Sequence, residues 1–554
     1  MPKPIQVPLS LSLSLSLSLS LSLTLSLSLS LTLSLTTTAC GPAITISGTV
    51  HGPVGDDVTL LNNGGDGLDV SVPVVNGGDD PYSLVDFSFA TPQAEGSPYD
   101  VTVAEPPAGQ VCEVYARGSG LVAGDVNVLV GCEWTDDHVS RGADNAVLGT
   151  FFDSGAPAVG GDVEYGEGRF VAFTSTALMS GASGNHRQVF WRDRLTGETV
   201  LVSASGPAEA PIEGNGDSVD PAISADGLVV AFESDADDLI DSDANGARDV
   251  FIWSANERGA GLKRVSVSST GAEANSVCAQ ASLSADGSIV AFTSGASTLS
   301  DGVDGINTIN IYRRDLVAGT TTLISADAAG TGVGGEHPVL SDDGDRLAFS
   351  SFSSALVAAD ANGLWDIFVW QHSIASLTRV SLTSDGGERN QGSESASRVV
   401  APAISGDGRH VAFATTASNM VAGDDNDAQD VFVVDIDSGN VVRASIGADG
   451  VDSDGDSPIL QGERVSLSRD GRLVAFSTRA QNLGASGNVM VRDLDTGAII
   501  AACAETGGVG VPVMSSAGAY VVFGSDTPLD GRFTSTGLFA HYTGLARAFW
   551  WLDN

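Results

Sequence analysis

Three stretches of the chain place oxygen donors at a spacing that could hold a hard cation. The fullest is Asp241-Ser-Asp243-Ala-Asn245-Gly246-Ala-Arg-Asp249. Alternate oxygen-bearing residues on a loop bent at glycine can converge on one ion, and Asp-x-Asp-x-Asn-Gly is the first half of a calcium-binding loop. Asp360-Ala-Asn362-Gly363-Leu-Trp-Asp366 and Asp424-Asp-Asn426-Asp427-Ala-Gln-Asp430 keep part of that order. All three lack the distant bidentate glutamate, so calcium would be held weakly, at millimolar extracellular concentration. The same residues have a second reading. Asp and Asn in such loops bond their own backbone in Asx-turns, without metal.

Other reaction chemistry is missing from the sequence. There is no Gly-x-Ser-x-Gly nucleophile elbow, no His-Glu-x-x-His, and no phosphate-binding or dinucleotide glycine fingerprint. The histidines (His51, His138, His186, His337, His372, His410, His541) are scattered, and His410 reads as packing inside a strand. Cys278 and Cys503 are single thiols in separate repeats, expected to be buried.

The donor loops sit inside a repeat. PAISADGLVVAF at 221–232 returns as ASLSADGSIVAF (281–292), PVLSDDGDRLAF (338–349), PAISGDGRHVAF (402–413) and VSLSRDGRLVAF (465–476). Weaker copies are DVEYGEGRFVAF (162–173) and PVMSSAGAYVVF (512–523). Each box reads as a strand, a tight Ser-x-Asp-Gly turn and a second, nearly all-apolar strand buried on both faces. A third run follows, such as DVFIW at 249–253 or DIFVW at 366–370, and then a fourth, such as KRVSV at 263–267 or TRVSL at 378–382. Four antiparallel strands per tandem unit predict a β-propeller. The box phenylalanines, Phe173, Phe232, Phe292, Phe349, Phe413, Phe476 and Phe523, lie 47 to 64 residues apart. That is longer than the roughly 40–45 residues of a tryptophan-aspartate blade, so the loops are longer. The donor loops fall between second and third strands, on the face that also carries the acidic interblade loops, Pro207–Val219, Asp385–Ser397 and Asp449–Gly462.

The Ser-x-Asp-Gly-x-x-x-Ala-Phe box followed by an Asp-x-Phe-x-x-Asp strand resembles the repeats of TolB-like propellers. The resemblance covers about 400 residues, 151–554. It implies a six-bladed ring, whereas seven boxes favour seven blades; seven is the expectation and six the alternative. For function it implies binding to other envelope proteins.

Upstream, residues 44–134 carry seven short β-like runs separated by Asn-Gly and Pro-Pro turns, a pattern for a small β-sandwich. SGTV, LLNNGGD, FSFATP, YDVTV and GQVCEV resemble an immunoglobulin-like module of bacterial lipoproteins and surface proteins. Cys112 and Cys132, in its last two strands, are expected to form a disulfide in an oxidising compartment. Residues 135–150 read as a polar linker, and Trp550 and Trp551 as part of the last strand.

Residues 1–40 alternate Leu with Ser or Thr from Leu9 to Leu35 and end in Thr-Thr-Thr-Ala-Cys40. One basic residue, a long apolar region and small residues before a possible cleavage point read as an export signal. A cysteine after small residues resembles a lipobox, which implies lipidation of Cys40; Thr37 departs from the preferred leucine. A low-complexity expansion with ordinary cleavage is the competing reading.

The net charge of −43, with only 26 Lys and Arg, excludes nucleic acid and anionic membrane as partners, since both require a basic patch. The expected protein is an exported, monomeric, all-β envelope module. It is held at an outer membrane, in the periplasm or on the cell surface, touches membrane only through its N-terminus, and binds an envelope or extracellular protein without catalysis. A glycan lyase or hydrolase using the propeller channel, and a calcium-dependent adhesin, are the alternatives. An Arg, Tyr and His cluster at the channel mouth would favour the enzyme. A channel of small and aliphatic residues would favour the scaffold.

Overall fold

The computed structural model describes residues 44–543 with interruptions, the longest at 72–82, 140–156, 301–307, 391–400 and 526–536. The Leu-Ser tract, Cys40, Trp550 and Trp551 lie outside the described residues.

Residues 44–134 form two four-stranded sheets. One contains Ser83–Ser88, Ile46–Gly52, Val126–Trp134 and Gln110–Ala116 in that order. The other contains Asp66–Ser71, Asp57–Asn62, Pro98–Glu105 and Ser119–Leu121. Alternating side chains from both, including Ile46, Val58, Leu60, Phe87, Tyr99 and Val130, share one core. The period-two pattern of these strands puts one face of each sheet inward. Cys112 and Cys132 face each other across neighbouring strands and are joined by a disulfide.

The remaining described strands make seven four-stranded antiparallel sheets in series, numbered here one to seven, and a small two-stranded ribbon. Sheet two shows the pattern: Ser218–Ile223, Val229–Ser234, Asp249–Ser254, Lys263–Arg264, each paired with the next. The box turn is built as its residue types require. Ser224 Oγ donates to Asp226 Oδ1 at 2.5 Å, and Asp226 Oδ1 accepts the Leu228 N–H at 3.0 Å. Gly227 has φ +76°. A Cβ there would also lie 2.1 Å from the Phe170 ring of sheet one, so glycine is required twice over.

Box phenylalanines stack on the aromatic opposite them in the third strand. Phe232–Phe251, Phe292–Tyr312 and Phe349–Phe368 have centroids 5.8, 5.9 and 5.8 Å apart. These rings, with Val and Ala neighbours, form clusters between consecutive sheets, and a last cluster joins sheet seven to sheet one. The series therefore closes into a ring. Seven aliphatic side chains, one per first strand, line its centre: Val159, Ile223, Leu283, Leu340, Ile404, Leu467 and Met514.

The closing strand corrects the linker reading of 135–150. Asp136–His138 pair with Gly537–Tyr542 as the fourth strand of sheet seven. Val139 is fully buried in the cluster joining sheets seven and one. A polar stretch can be an outer strand because only alternate side chains face inward and its outer edge meets water. Residues 140–150 lie outside the described residues.

Val139→Asp should therefore lower the unfolding free energy of the full chain by about 3 kcal/mol or more, the scale for an unpaired buried charge. A linker position would show no loss. Leu121→Asp, at a site 68% exposed, should stay within about 0.5 kcal/mol in the same denaturant titration.

Candidate functional site: the donor loops and the hub

The loop carboxylates of sheets two, four and five do come together, but around an arginine. In sheet two, Asp243, Asp249 and Glu273 bring carboxylate oxygens within 4.8 Å of one another. Arg264, from the fourth strand, puts Nη1 3.3 Å from Asp243 and 3.3 Å from Asp249, and contacts Glu273. In sheet four, Arg379 lies 2.9 Å from Asp360, 3.5 Å from Asp366 and 3.1 Å from Glu388. In sheet five, Arg443 lies 2.8 Å from Asp424, 3.6 Å from Asp430 and against Asp452.

The other donors are engaged in the same way each time. Ser266, Ser381 and Ser445 donate to Asp249, Asp366 and Asp430, each at 2.5 Å. The third acid also clamps the loop, accepting the N–H of Ala244, Ala361 or Asp425. Asn245, Asn362 and Asn426 accept the N–H two residues on, which is the Asx-turn. Asn245 and Asn426 turn N–H, not oxygen, toward Asp249 and Asp430. Asp241 is exposed and outside the group. The residues as arranged therefore do not fit a calcium ion. Their oxygens face a guanidinium that fills the cation position, and the asparagine oxygens are committed to the backbone.

Burial is the first cause acting on these acids. It pushes Asp243, Asp249, Asp360 and Asp430 upward, helped for Asp243 and Asp360 by the neighbouring carboxylate. Asp424 is pushed up to about 6 by burial and then by Asp430. Glu273 is held low, because its bonds from Ala244 and Arg264 outweigh the burial that opposes them.

The hub is a second place where side chains meet. Residues just past the first strands bond backbone to backbone with the next sheet, usually the residue after the box serine: Gly161 N–H to Ala225 O (2.8 Å), Ala225 to Ala285 (2.9 Å), Ala285 to Asp342 (2.8 Å), Asp342 to Gly406 (2.9 Å), Asp407 to Arg469 (3.1 Å) and Arg469 to Ser516 (2.7 Å). Asp342 and Arg469 pair at 2.6 Å across this belt. A Cβ on Gly406 would lie 2.4 Å from that carboxylate. Within the belt and the aliphatic ring is a cavity of about 150 Å³.

Four residues before the box serine, the first strands carry Asp220, Gln280, His337 and Arg464, where sheets five and seven have Ala401 and Val511. Asp220, Gln280 and His337 have φ of +50°, +55° and +55°, at bulges in three successive first strands. Strained non-glycine backbone of this kind occurs where surrounding structure fixes a side chain for use. The charge of Arg464, in sheet six, acts on Glu233 and Asp220 of sheet two and on His337 of sheet four. His337 N–H donates to Gln280 Oε1 at 2.8 Å, and Gln280 N–H donates to Glu233. Burial, then Asp220, pushes Glu233 up to about 7. Burial, then Arg464, pushes His337 down to about 3, so its imidazole is neutral.

This polar tier escaped the sequence reading, although four polar types at one fixed offset from the box were a visible signal. The arginines were visible too, at one offset in KRVSV, TRVSL and VVRAS. Buried Cys278 donates to Ser294 Oγ at 3.2 Å, and burial pushes its thiol up to about 12. The Cys503 side chain lies outside the described residues.

The chain is a β-propeller protein. Among solved structures it is similar to TolB from Acinetobacter baumannii, at 17% identity over 56% of this chain and 58% of that one, TM-score 0.34. It thus spans less than two thirds of that protein's length. It is also similar to an oligogalacturonate lyase in complex with manganese (12% identity, 68% and 86% covered, TM-score 0.42). A third is the propeller domain of the Trilobed protease from Pyrococcus furiosus, of open velcro topology (12%, 71% and 96%, TM-score 0.41). These are likenesses of fold, and no activity is carried over from them. No family model and no curated protein sequence matches the chain.

The two hub groups make opposite pH signatures. Glu233 has its folded pKa raised from 4.5 to about 7, so its stabilising contribution is full below 4.5 and lost as pH rises through 7. His337 is depressed from 6.5 to about 3, so its contribution is present above 6.5 and lost as pH falls toward 3. Relative to Glu233→Gln, the wild type should lose about 3 kcal/mol between those carboxylate limits. Relative to His337→Gln it should lose more, about 5 kcal/mol, on acidification. Urea titrations across pH measure both.

Proposed function

We propose that the chain is an exported, non-catalytic binding module of the cell envelope, anchored through Cys40, whose partner docks on the face bearing the acidic loops. One observation carries the non-catalytic part. Two cavities lined by described residues are small, about 150 Å³ at the hub and about 240 Å³ beside Gln280 and Glu336. Sites for small-molecule ligands typically enclose about 300–1,000 Å³. The hub lining is mainly small and aliphatic, with one internal ion pair. The polar groups above it are tied to one another: Glu233 to Gln280 and Arg248, Gln280 to His337.

The docking face is supported by what it exposes. Asp235, Asp237, Asp238, Asp425, Asp427 and Asp454 are all solvent-facing. Among them stand Val277, Ile309 and Phe352, 51%, 50% and 53% exposed, on sheets three and four. Apolar groups rimmed by acids suit a protein segment with apolar anchors and basic flanks. Complementary charge speeds encounter, and the buried apolar contacts hold the complex.

A second reading, a propeller enzyme acting on glycans, is favoured by the strained Asp220, Gln280 and His337, with the charge of Arg464 acting on Asp220 and His337. Affinity capture from envelope fractions separates the two. A partner eluted by salt and lost with Phe352→Asp and Ile309→Asp supports docking. Turnover of an acidic polysaccharide, abolished by Arg464→Ala, would replace it with the enzyme.

The anchor has its own check. Radiolabelled palmitate should be incorporated by the wild type and not by Cys40→Ser. Label retained in the variant would remove Cys40 from this role.

A further inference from the structure

We infer that the loops of sheets two, four and five are locked by an internal cation, the guanidinium of Arg264, Arg379 or Arg443, and hold their shape without metal. The inference rests on concerted variation among repeats of one chain. Arg264, Arg379 and Arg443 lie opposite Phe251, Phe368 and Phe432 in the strand register. The third strands of these sheets begin with Asp249, Asp366 and Asp430. In sheets one and three the third strands begin with Gln188 and Asn310, and the residue opposite the corresponding aromatic is Leu201 or Leu323. In sheet six, Asn488 precedes the third strand and Ala501 lies opposite Met490.

The third acid changes with them in sheet three and is kept in sheet one, as Glu213. Isolated bridges fix the equivalence: Val267 with Glu273, Leu382 with Glu388, Ile446 with Asp452, and in sheet three Ala326 with Gly332. Where Asp has become Asn310 and Arg has become Leu323, the acid has become glycine. A side chain at Gly332 would in fact strike the Asn310 amide, 2.6 Å away. The strand-opening carboxylate and the guanidinium are therefore present together or replaced together, while the third acid also persists without them in sheet one, as Glu213 opposite Ala204, accepting the Ser183 N–H. A calcium site would need the acids and would have no use for the arginine. The serine that bonds the strand-opening residue is kept in both kinds of sheet, as Ser266 on Asp249 and as Ser203 on Gln188. It belongs to the backbone frame rather than to the lock.

A buried carboxylate cluster needs a positive charge at its centre. A covalently attached guanidinium supplies it at any calcium concentration, and its planar fork can reach several carboxylates at once. The lock thus makes this acidic ring independent of the ion supply of its compartment.

The test uses the full chain and thermal unfolding. Excess EDTA, or millimolar calcium, should move the wild-type melting temperature by less than about 1 °C, since a ligand shifts stability only if it binds the folded state. Arg264→Leu should lower it by roughly 5 °C or more, because the buried side chains of Asp243 and Asp249 lose their counter-charge. Asp249→Asn/Arg264→Leu/Glu273→Gly, which copies sheet three, should recover at least half of that loss. Melting that falls with EDTA and returns with calcium would overturn the inference. So would a triple variant no better than the single one. If Arg264→Leu does not fold, the wild-type chelation result and the triple variant still decide.

Discussion

Separate twisted sheets cannot share one hydrogen-bond ladder, and the rest of this structure depends on how the chain joins them. The join is made twice at each boundary. Side chains of the second and third strands pack flat between sheets, led by the box phenylalanines, all fully buried or nearly so. Burying one such ring is worth about 1.5–3 kcal/mol, against roughly 1 kcal/mol net for a backbone hydrogen bond. Packing therefore supplies the cohesion. The belt of backbone bonds at the hub supplies the register, because each bond admits one relative height for two neighbouring sheets. The box turn serves both. Its glycine lets a side chain of the neighbouring sheet approach, and the residue after its serine takes part in the belt.

A ring built this way leaves little room at its centre. One aliphatic side chain per first strand fills the hub, and the belt narrows it further. Chemistry or recognition is then confined to the tier above and to the loops of that face, since the strands themselves are committed to packing. The bulges at Asp220, Gln280 and His337 are the places where first strands break register, and they turn polar side chains toward the hub that regular strands would place in a sheet interface.

The strand pattern was legible because it is a local property repeated in tandem. Runs such as VFWRD, DVFIW and DIFVW lie in third strands, and every Ser-x-Asp-Gly box forms the same turn. Contacts between sheets were not legible by the same means. Asp136–His138 read as linker because a three-residue outer strand carries no hydrophobic period, and its partner is some 400 residues away. The donor loops were legible, and the arginine among them was not. The reading took each loop alone, while Arg264, Arg379 and Arg443 arrive from the next hairpin along the chain. Composition also misled: in a chain of 69 acids, carboxylates attract notice and the few arginines do not.

That imbalance gives the arginines their weight. With 26 basic residues against 69 acids, a cation placed anywhere in the ring has many carboxylates competing for it. A surface lysine shared among them would contribute little, since exposed pairs are worth about 0–1 kcal/mol. The chain instead places guanidinium groups where the acids are desolvated. Arg379 and Arg389 both reach Asp366, and Arg472 reaches Asp493 at 2.6 Å in sheet six. Buried acids that find an internal counter-charge fix loop geometry. Acids that find none remain at the surface, where they repel one another. In the loops of sheets two, four and five that counter-charge comes from the fourth strand, as Arg264, Arg379 and Arg443.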